Sequence, residues 1–175
     1  MRCFIAVDLN DDVKEKVINL QKLMPKAARL VGKENLHFTL KFLGEIDEEM
    51  VDKTREKLRQ IAKITKNFTI KISEIGTFPN DKFIRVVWVG CQNREFADLH
   101  NAVDEAMADM LPREKPVPHL TLARVQERSK ELSDFITNNR NTEIGEMPVN
   151  KIKLKKSALT WKGPVYEDIE VFDLC

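Results

Sequence analysis

Two of the three histidines in this 175-residue chain open similar tetrapeptides. These are His37-Phe38-Thr39-Leu40 and His119-Leu120-Thr121-Leu122, whose histidines are 82 positions apart. Because side chains alternate between the faces of a strand, each histidine shares a face with its threonine. Two imidazoles can act as general base and general acid near neutral pH, and two hydroxyls can hold phosphate oxygens. The pattern indicates metal-independent acid–base chemistry on a phosphate, in which either histidine could be the acid.

The two motifs occupy matching places in an internal repeat. Each half of the chain runs strand, helix, charged loop and strand, and the last of these strands opens with the histidine motif. The repeat units cover about residues 2–75 and 84–156. This period is too long for a solenoid and suits one duplicated lobe. We therefore predict a single two-lobed domain over residues 1–175, with the motifs facing each other across a cleft.

Hydrophobic periodicity predicts the elements that must position the motifs. Strands are expected at 3–9, 36–43, 68–73, 84–89, 119–125, 149–156 and 169–174. Helices are expected at 11–25, from 47, from 93 and near 130–139, with Asn10 and Asn93 as N-caps. Loops are expected at 32–35, 76–81 and 112–118, with a turn at Gly163-Pro164. Strands mixed with helices at this spacing predict an α+β fold.

Composition and charge exclude several classes of protein. The chain has 29 Lys and Arg residues against 28 Asp and Glu, a net charge of +1, and 42% of its residues are hydrophobic. This apolar fraction excludes a disordered or collagen-like chain. The near-zero charge argues against binding nucleic acid by bulk electrostatic attraction.

The cysteines and the hydropathy pattern bear on location. Cys3, Cys91 and Cys175 are far apart and form no C-x-x-C pair, so a disulfide framework or a zinc knuckle is not expected. The apolar run at the N-terminus is too short for an expected signal peptide, and no stretch of this sequence approaches the length of a membrane span. We expect a soluble, cytoplasmic monomer without membrane association.

Three further segments make a family resemblance specific. The start Phe4–Val7, the loop Gly76–Pro79 and the strand Arg85–Gly90 accompany the motif segments 37–44 and 119–124. Together they resemble the RNA 2′,3′-cyclic phosphodiesterase (2′-5′ RNA ligase) family of the two-histidine phosphoesterase superfamily. The resemblance implies two lobes around a central cleft, each a mostly antiparallel sheet with helices on its outer face. It also implies hydrolysis of RNA 2′,3′-cyclic phosphates to 2′-phosphomonoesters, with reversible 2′-5′ ligation.

The resemblance assigns roles to the motif residues. It implies that His37 is the proton donor and His119 the proton acceptor. Thr39 and Thr121 match phosphate-binding positions. The implied partner is RNA ending in a cyclic phosphate, including tRNA fragments, and no cofactor or metal is implied.

Three more residues are candidates for substrate binding. Arg124 matches a cation near the phosphate, but an ideal strand would point it away from His119 unless the strand twists or ends there. Lys41, four residues after His37, is predicted to lie on the same face as that histidine, farther along the strand. Phe42 is similar to an aromatic that stacks on a base, with an ordinary core phenylalanine as the equal alternative.

Other functions stay open at this point. The chain could bind RNA 2′-phosphate or cyclic-phosphate ends without turnover, or hydrolyse small cyclic nucleotides or 2′-5′ oligoadenylate. Lys151, Lys153 and Lys155 could form a strip that guides RNA, or simply a solvated or edge-protecting strand face. His100 has no motif around it and is interpreted as structural.

Overall fold

The computed structural model describes residues 1–115 and 117–175, so Pro116, in the loop predicted over 112–118, lies outside the described residues. The strands are β1 (Arg2–Asp8), β2 (Ala28–Leu30), β3 (His37–Glu45), β4 (Phe68–Asn80), β5 (Phe83–Cys91), β6 (His119–Val125), β7 (Glu143–Val149), β8 (Lys151–Thr160) and β9 (Gly163–Asp173). The helices are α1 (Asp11–Gln21), α2 (Glu48–Ile64), α3 (Arg94–Ala106) and α4 (Lys130–Asn139). Of these helices in the described part of the chain, none is long and apolar enough to cross a membrane.

A side-chain cap starts each helix. The Asn10 side chain accepts a hydrogen bond from the Val13 amide at 3.0 Å, and the Asn93 side chain accepts one from the Phe96 amide at 2.8 Å. Asp47 and Ser129 cap α2 and α4 in the same way. Such caps each stabilise a helix by about 1 kcal/mol. The predicted caps at Asn10 and Asn93 are therefore confirmed.

The strands form a single antiparallel sheet in which the motif strands are neighbours. The order is β7-β4-β5-β6-β3-β1-β8-β9, and β2 pairs with β6. β3 and β6 meet through one pairing, Phe38 with Leu120. This narrow junction divides the sheet into two halves, β3-β1-β8-β9 and β7-β4-β5-β6. The predicted two-lobed α+β architecture is thus confirmed.

Each half of the sheet contains strands from both halves of the chain. β4, which follows α2, pairs with β5 rather than with β1. β8, near the C-terminus, pairs with β1. Neither half of the sheet is therefore built from one predicted repeat unit alone. The unit boundaries at 2–75 and 84–156 stay a prediction.

The helices and the core lie on the face of the sheet opposite the motif histidines. Phe38 and Leu120 are completely buried, and the Phe38 ring contacts Phe96 of α3 with 5.4 Å between the ring centres. α2 packs on β8 and β9, and α1 packs on β7 and β6. The residues that alternate with Phe38 and Leu120 consequently face away from this core.

Several element boundaries differ from the sequence expectation. The loop predicted at 76–81 is mostly strand, because β4 continues to Asn80 and forms a hairpin with β5. Gly163-Pro164, predicted as a turn, begins β9, and the turn lies just before it. β7 was not predicted, since Gly145 and Pro148 weaken its β pattern. The helix expected over 11–25 ends as α1 at Gln21.

Candidate active site

The two histidine motifs lie side by side on the open face of the sheet. Since β3 and β6 are antiparallel and Phe38 pairs with Leu120, the register brings His37 level with Thr121 and Thr39 level with His119. All four side chains are on the face opposite Phe38 and Leu120, and all four are partly accessible to solvent. When His119 is charged it lowers the pKa of His37, because like charges on neighbouring rings repel each other. The two motifs therefore converge.

A matching β-bulge interrupts both motif strands. In β3, Thr39 pairs with Ala6 and Lys41 with Ile5, so Leu40 is an extra residue. In β6, Thr121 pairs with Trp88 and Ala123 with Val87, so Leu122 is extra. A bulge shifts the alternation of side chains by one position. Beyond each bulge, residues that a regular strand would direct to the open face point into the core. Residues that it would direct into the core point to the open face.

The bulges decide where the three remaining candidates lie. Phe42 is 58% exposed and Arg124 is exposed, and both return to the face that carries the histidines. The core alternative for Phe42 is therefore wrong. The bulge is also what allows Arg124 to share a face with His119, which a regular strand would prevent.

The prediction that Lys41 shares the face of His37 is wrong. The Leu40 bulge turns the side chain into the protein, where it is 1% exposed. Its Nζ donates to Oδ1 of Asp104 and to the Pro112 carbonyl, both at 2.6 Å, and lies 3.5 Å from the Glu114 carboxylate. Lys41 thus anchors α3 and the segment that follows it.

Both histidines are held in the same tautomer by the same backbone contact. His37 Nδ1 donates to the Asn35 carbonyl and His119 Nδ1 donates to the Val117 carbonyl, each at 2.7 Å. Because a carbonyl can only accept, Nδ1 carries the proton and Nε2 is left for chemistry. In His37, Nε2 lies 3.0 Å from the Thr39 hydroxyl. Each ring is therefore oriented with its reactive nitrogen toward the open face.

Burial lowers the pKa of both histidines below 6.5. The hydrogen bond from Nδ1 to the backbone carbonyl partly offsets this, because it stabilises the charged ring. The pKa of His37 is additionally raised by Asp8 and lowered by Lys155 and His119. Both imidazoles are thus mainly neutral at pH 7. An anion bound between them would raise the pKa of each ring.

Aromatic rings flank each histidine, and most of them were not predicted. His37 contacts Phe4 and Tyr166, with ring centres 4.9 and 5.4 Å away. His119 contacts Phe78 and Trp88, at 4.9 and 6.2 Å. These rings remove water from the sides of the imidazoles, which is the physical cause of the lowered pKa values. Tyr166 had no sequence signal, because it reaches His37 through pairing of strands far apart in the chain.

The lysines of β8 are paired with carboxylates. Lys153 and Lys155 both contact Asp8 and Asp168, at distances between 2.6 and 3.0 Å. Lys151 lies 3.6 Å from Asp173. β8 also lies between β1 and β9, so it is not an edge strand. These lysines are therefore neutralised locally, and the edge-protection interpretation is wrong.

No group of three or more His, Cys, Asp or Glu side chains among residues 1–115 and 117–175 is arranged to hold a metal ion. His100 is buried in α3, where burial lowers its pKa and Asp104 partly offsets that effect. It lies outside the paired motifs, in agreement with a structural role.

This fold, with histidine–threonine pairs on two central strands, is that of a two-histidine phosphoesterase. The chain belongs to the LigT-like phosphoesterase family, whose model matches residues 7–88 and 89–166. The two matches divide the chain into two similar segments, as the paired motifs suggest.

Relatives resemble the chain over nearly its whole length. It is 39% identical to an RNA 2′,3′-cyclic phosphodiesterase of Methanocaldococcus jannaschii, covering 97% of this chain and 99% of that one. It is 38% identical to a protein of the same name from Methanothermobacter thermautotrophicus, covering 99% of both. Among solved structures, TT0787 of Thermus thermophilus superposes with a TM-score of 0.88 at 28% identity, over 99% of this chain and 98% of that one. Escherichia coli LigT complexed with 3′-AMP superposes with a TM-score of 0.82 at 25% identity, over 99% and 97%.

Proposed function

We propose that this protein hydrolyses the 2′,3′-cyclic phosphate at an RNA end to a 2′-phosphomonoester, with His119 as general base and His37 as general acid. Membership of the LigT-like family and relatives named RNA 2′,3′-cyclic phosphodiesterase support the reaction class. The observation that carries the proposal is the pair of imidazoles on adjacent strands, each with Nδ1 donating to a backbone carbonyl, which leaves Nε2 for proton exchange; Nε2 of His37 also contacts the Thr39 hydroxyl.

The proposed reaction is one displacement at phosphorus. Nε2 of His119 takes a proton from water as its oxygen attacks the phosphorus atom. The bond between phosphorus and the 3′ oxygen breaks, and Nε2 of His37 gives its proton to that oxygen. The products are a 3′-hydroxyl and a 2′-phosphate, and the two histidines exchange protonation states. A proton exchange with solvent restores the starting state.

The direction of proton transfer has support in the surroundings of His37. The Asp8 carboxylate favours the charged form of this ring, opposing burial, Lys155 and a charged His119, and no carboxylate among the described residues acts in this way on the pKa of His119. The phosphate of the bound substrate adds a further negative charge. The phosphate raises the pKa of both rings, so the Asp8 carboxylate is the contact that favours a protonated His37, as an acid requires, over a protonated His119.

The other residues of the open face hold the substrate in this proposal. The hydroxyls of Thr39 and Thr121 donate to the non-bridging oxygens of the phosphate, and Arg124 balances their charge. The exposed ring of Phe42 stacks on the base next to the cyclic phosphate. The bulges that bring Phe42 and Arg124 to this face are the structural support for both roles.

The proposal also covers 2′-5′ ligation and the assembly state of the protein. A 5′-hydroxyl in place of water would form a 2′-5′ linkage with His119 still the base and His37 still the acid, and by microscopic reversibility the cleavage of that linkage would exchange the two roles. Both motifs come from one chain, so a monomer is sufficient for activity. Fragments of tRNA that end in a cyclic phosphate belong to the proposed class of substrate.

The test is conversion of an oligoribonucleotide with a 2′,3′-cyclic phosphate end in excess EDTA, with the product identified as a 2′- or 3′-phosphate. We expect a 2′-phosphate end at a rate that the chelator does not change. Loss of turnover in EDTA that added metal restores would contradict the mechanism. Binding without any product would instead favour an RNA-end binder. His100→Asn serves as a histidine control and should retain activity, provided that it melts at a similar temperature.

A further inference from the structure

The tip of the β8–β9 hairpin presents an unusually exposed tryptophan. Trp161 is 90% exposed and Leu159 is 77% exposed. Tryptophan is normally among the more deeply buried residues, and exposed aromatic surface beside a site is typical of binding surfaces. The ammonium group of Lys162 lies 4.8 Å from the centre of the Trp161 ring. The tip therefore combines an open aromatic face with a positive charge.

The hairpin tip is tied to the active site by hydrogen bonds. Asn35, whose carbonyl accepts from His37, donates from its side chain to the Pro164 carbonyl at 3.0 Å. Tyr166, the ring beside His37, lies in β9 of the same hairpin. Trp161 precedes Tyr166 by five residues, which is about 16 Å along a strand. An RNA strand whose end is bound at the histidines would thus reach the hairpin tip within a few nucleotides.

A line of cations joins Arg124 to this tip. Arg124 of β6 pairs directly with Arg29 of β2, so the two side chains share a face of the sheet. Nη2 of Arg29 donates to the Lys162 carbonyl at 3.2 Å. Within the described residues, none of the side chains of Arg29, Arg124 and Lys162 has a carboxylate within 4.0 Å. The lysines of β8 differ in this respect, since each of them has one.

We propose that the hairpin tip binds the single-stranded RNA leading to the cyclic phosphate. In this arrangement Trp161 stacks on a nucleobase, and Arg29 and Lys162 contact the phosphates between that base and the histidines. Stacking on an aromatic ring with cations along the backbone is the general mode of single-strand binding. The inference rests on the proposed function and specifies its substrate, an RNA strand of several nucleotides in place of a cyclic mononucleotide.

A second exposed aromatic offers a matched control. Phe83, on the β4–β5 hairpin, is 45% exposed, and the guanidinium groups of Arg85 and Arg128 lie 4.9 and 5.5 Å from its ring centre. Two cations already occupy its surroundings, so its ring is less available than that of Trp161. We expect Phe83→Ala to leave RNA hydrolysis unchanged.

The test compares kcat/KM for an RNA oligonucleotide with a cyclic-phosphate end and for a 2′,3′-cyclic mononucleotide. Trp161→Ala should lower the value for RNA by about 5- to 100-fold, the scale of one base–aromatic stack, and leave the mononucleotide value unchanged. Arg29→Gln and Lys162→Gln should each make the plot of log affinity for RNA against log salt concentration less steep, by about the slope that one phosphate contact contributes. Lys151→Gln, the control for a paired cation, should do neither.

Each other result would overturn the inference. Equal losses on both substrates would make the tip a structural support of the active site, and unchanged RNA kinetics would remove Trp161 from binding. Equal effects of Phe83→Ala would remove the preference for this hairpin. A wild-type dimer that Trp161→Ala converts to a monomer, with RNA kinetics retained, would make the tip a protein contact. If the wild-type protein hydrolyses neither substrate, the proposed function itself fails, which is a separate outcome.

Discussion

Phe42 and Arg124 occupy equivalent positions in the two motif strands. Each lies three residues after the motif threonine of its strand and two residues after the bulge residue, Leu40 or Leu122. The same local geometry thus brings an aromatic ring to the open face in one half of the sheet and a guanidinium group in the other. We infer a division of labour in which one half holds a base and the other the phosphate charge.

The first prediction concerns this division. Arg124→Ala should lower kcat/KM by about 10- to 100-fold on both RNA and a cyclic mononucleotide, because a charged contact to the phosphate is lost. Phe42→Ala should lower it through KM with less effect on kcat, because stacking holds the ground state and transition state alike. Steady-state kinetics with Phe42→Tyr as the conservative control would check both. A larger kcat effect for Phe42→Ala than for Arg124→Ala would contradict the assignment.

The second prediction concerns the two motif hydroxyls. Thr39→Ala and Thr121→Ala should each lower kcat/KM by about 10-fold or more, since a hydrogen bond to a charged phosphate oxygen is lost. Thr39→Ser and Thr121→Ser keep the hydroxyl and should recover most of the activity. Serine variants as impaired as the alanine variants would show that the methyl groups and packing matter instead.

The third prediction concerns stability and pH. His37, His100 and His119 all have a pKa lowered by burial from 6.5 in the folded state. Below the unfolded-state pKa the unfolded chain binds more protons than the folded chain, so the free energy of unfolding falls as the pH drops from about 7.5 through 6.5 toward the lowered folded-state pKa values. The carboxylates with lowered pKa values titrate below 3.8 and do not contribute in this window.

Urea unfolding at several pH values would check this dependence. His119→Gln should flatten the curve by the share of one histidine, at most about 1.4 kcal/mol per pH unit. A stability that is constant or rises on acidification in this window would contradict the burial of these rings.

The fourth prediction separates structure from binding at Lys41. Lys41→Met leaves the Asp104 carboxylate buried without its partner and should cost about 3–5 kcal/mol of stability. Adding Asp104→Leu removes that carboxylate and should restore most of the loss. The folded double variant should keep the wild-type KM for RNA, since Lys41 does not face the cleft. A stable Lys41→Met protein with a raised KM would restore a role in substrate binding.

The sequence was informative where chemistry depends on local spacing. Paired His-x-Thr tetrapeptides require only the alternation of a strand to bring His37 and Thr39, or His119 and Thr121, to one face. Helix caps at Asn10 and Asn93 are similarly local. These features follow from rules that act over a few residues, so they were predicted correctly.

The sequence was misleading where one extra residue in a strand changes the outcome. Nothing in the residues around Leu40 and Leu122 marks them as bulges, because both are apolar and buried like their regular neighbours. Because of this one-residue shift, the side chains of Lys41 and Arg124 point to the opposite faces of the sheet from those that an ideal strand predicts. Tyr166 and Trp161 were missed for another reason. Their places depend on the pairing of β8 with β1, which only the folded sheet specifies.

The central claim is that His37 donates a proton to the 3′ oxygen while His119 removes one from water. It is tested most directly by measuring the hydrolysis of a cyclic substrate whose 3′ oxygen is replaced by sulfur. Because a thiolate leaves without protonation, His37→Ala should lose about 10²-fold or more on the oxygen substrate and be nearly restored on the sulfur substrate. His119→Ala should be impaired on both. Rescue of His119→Ala in place of His37→Ala, or of neither variant, would contradict the proposed roles.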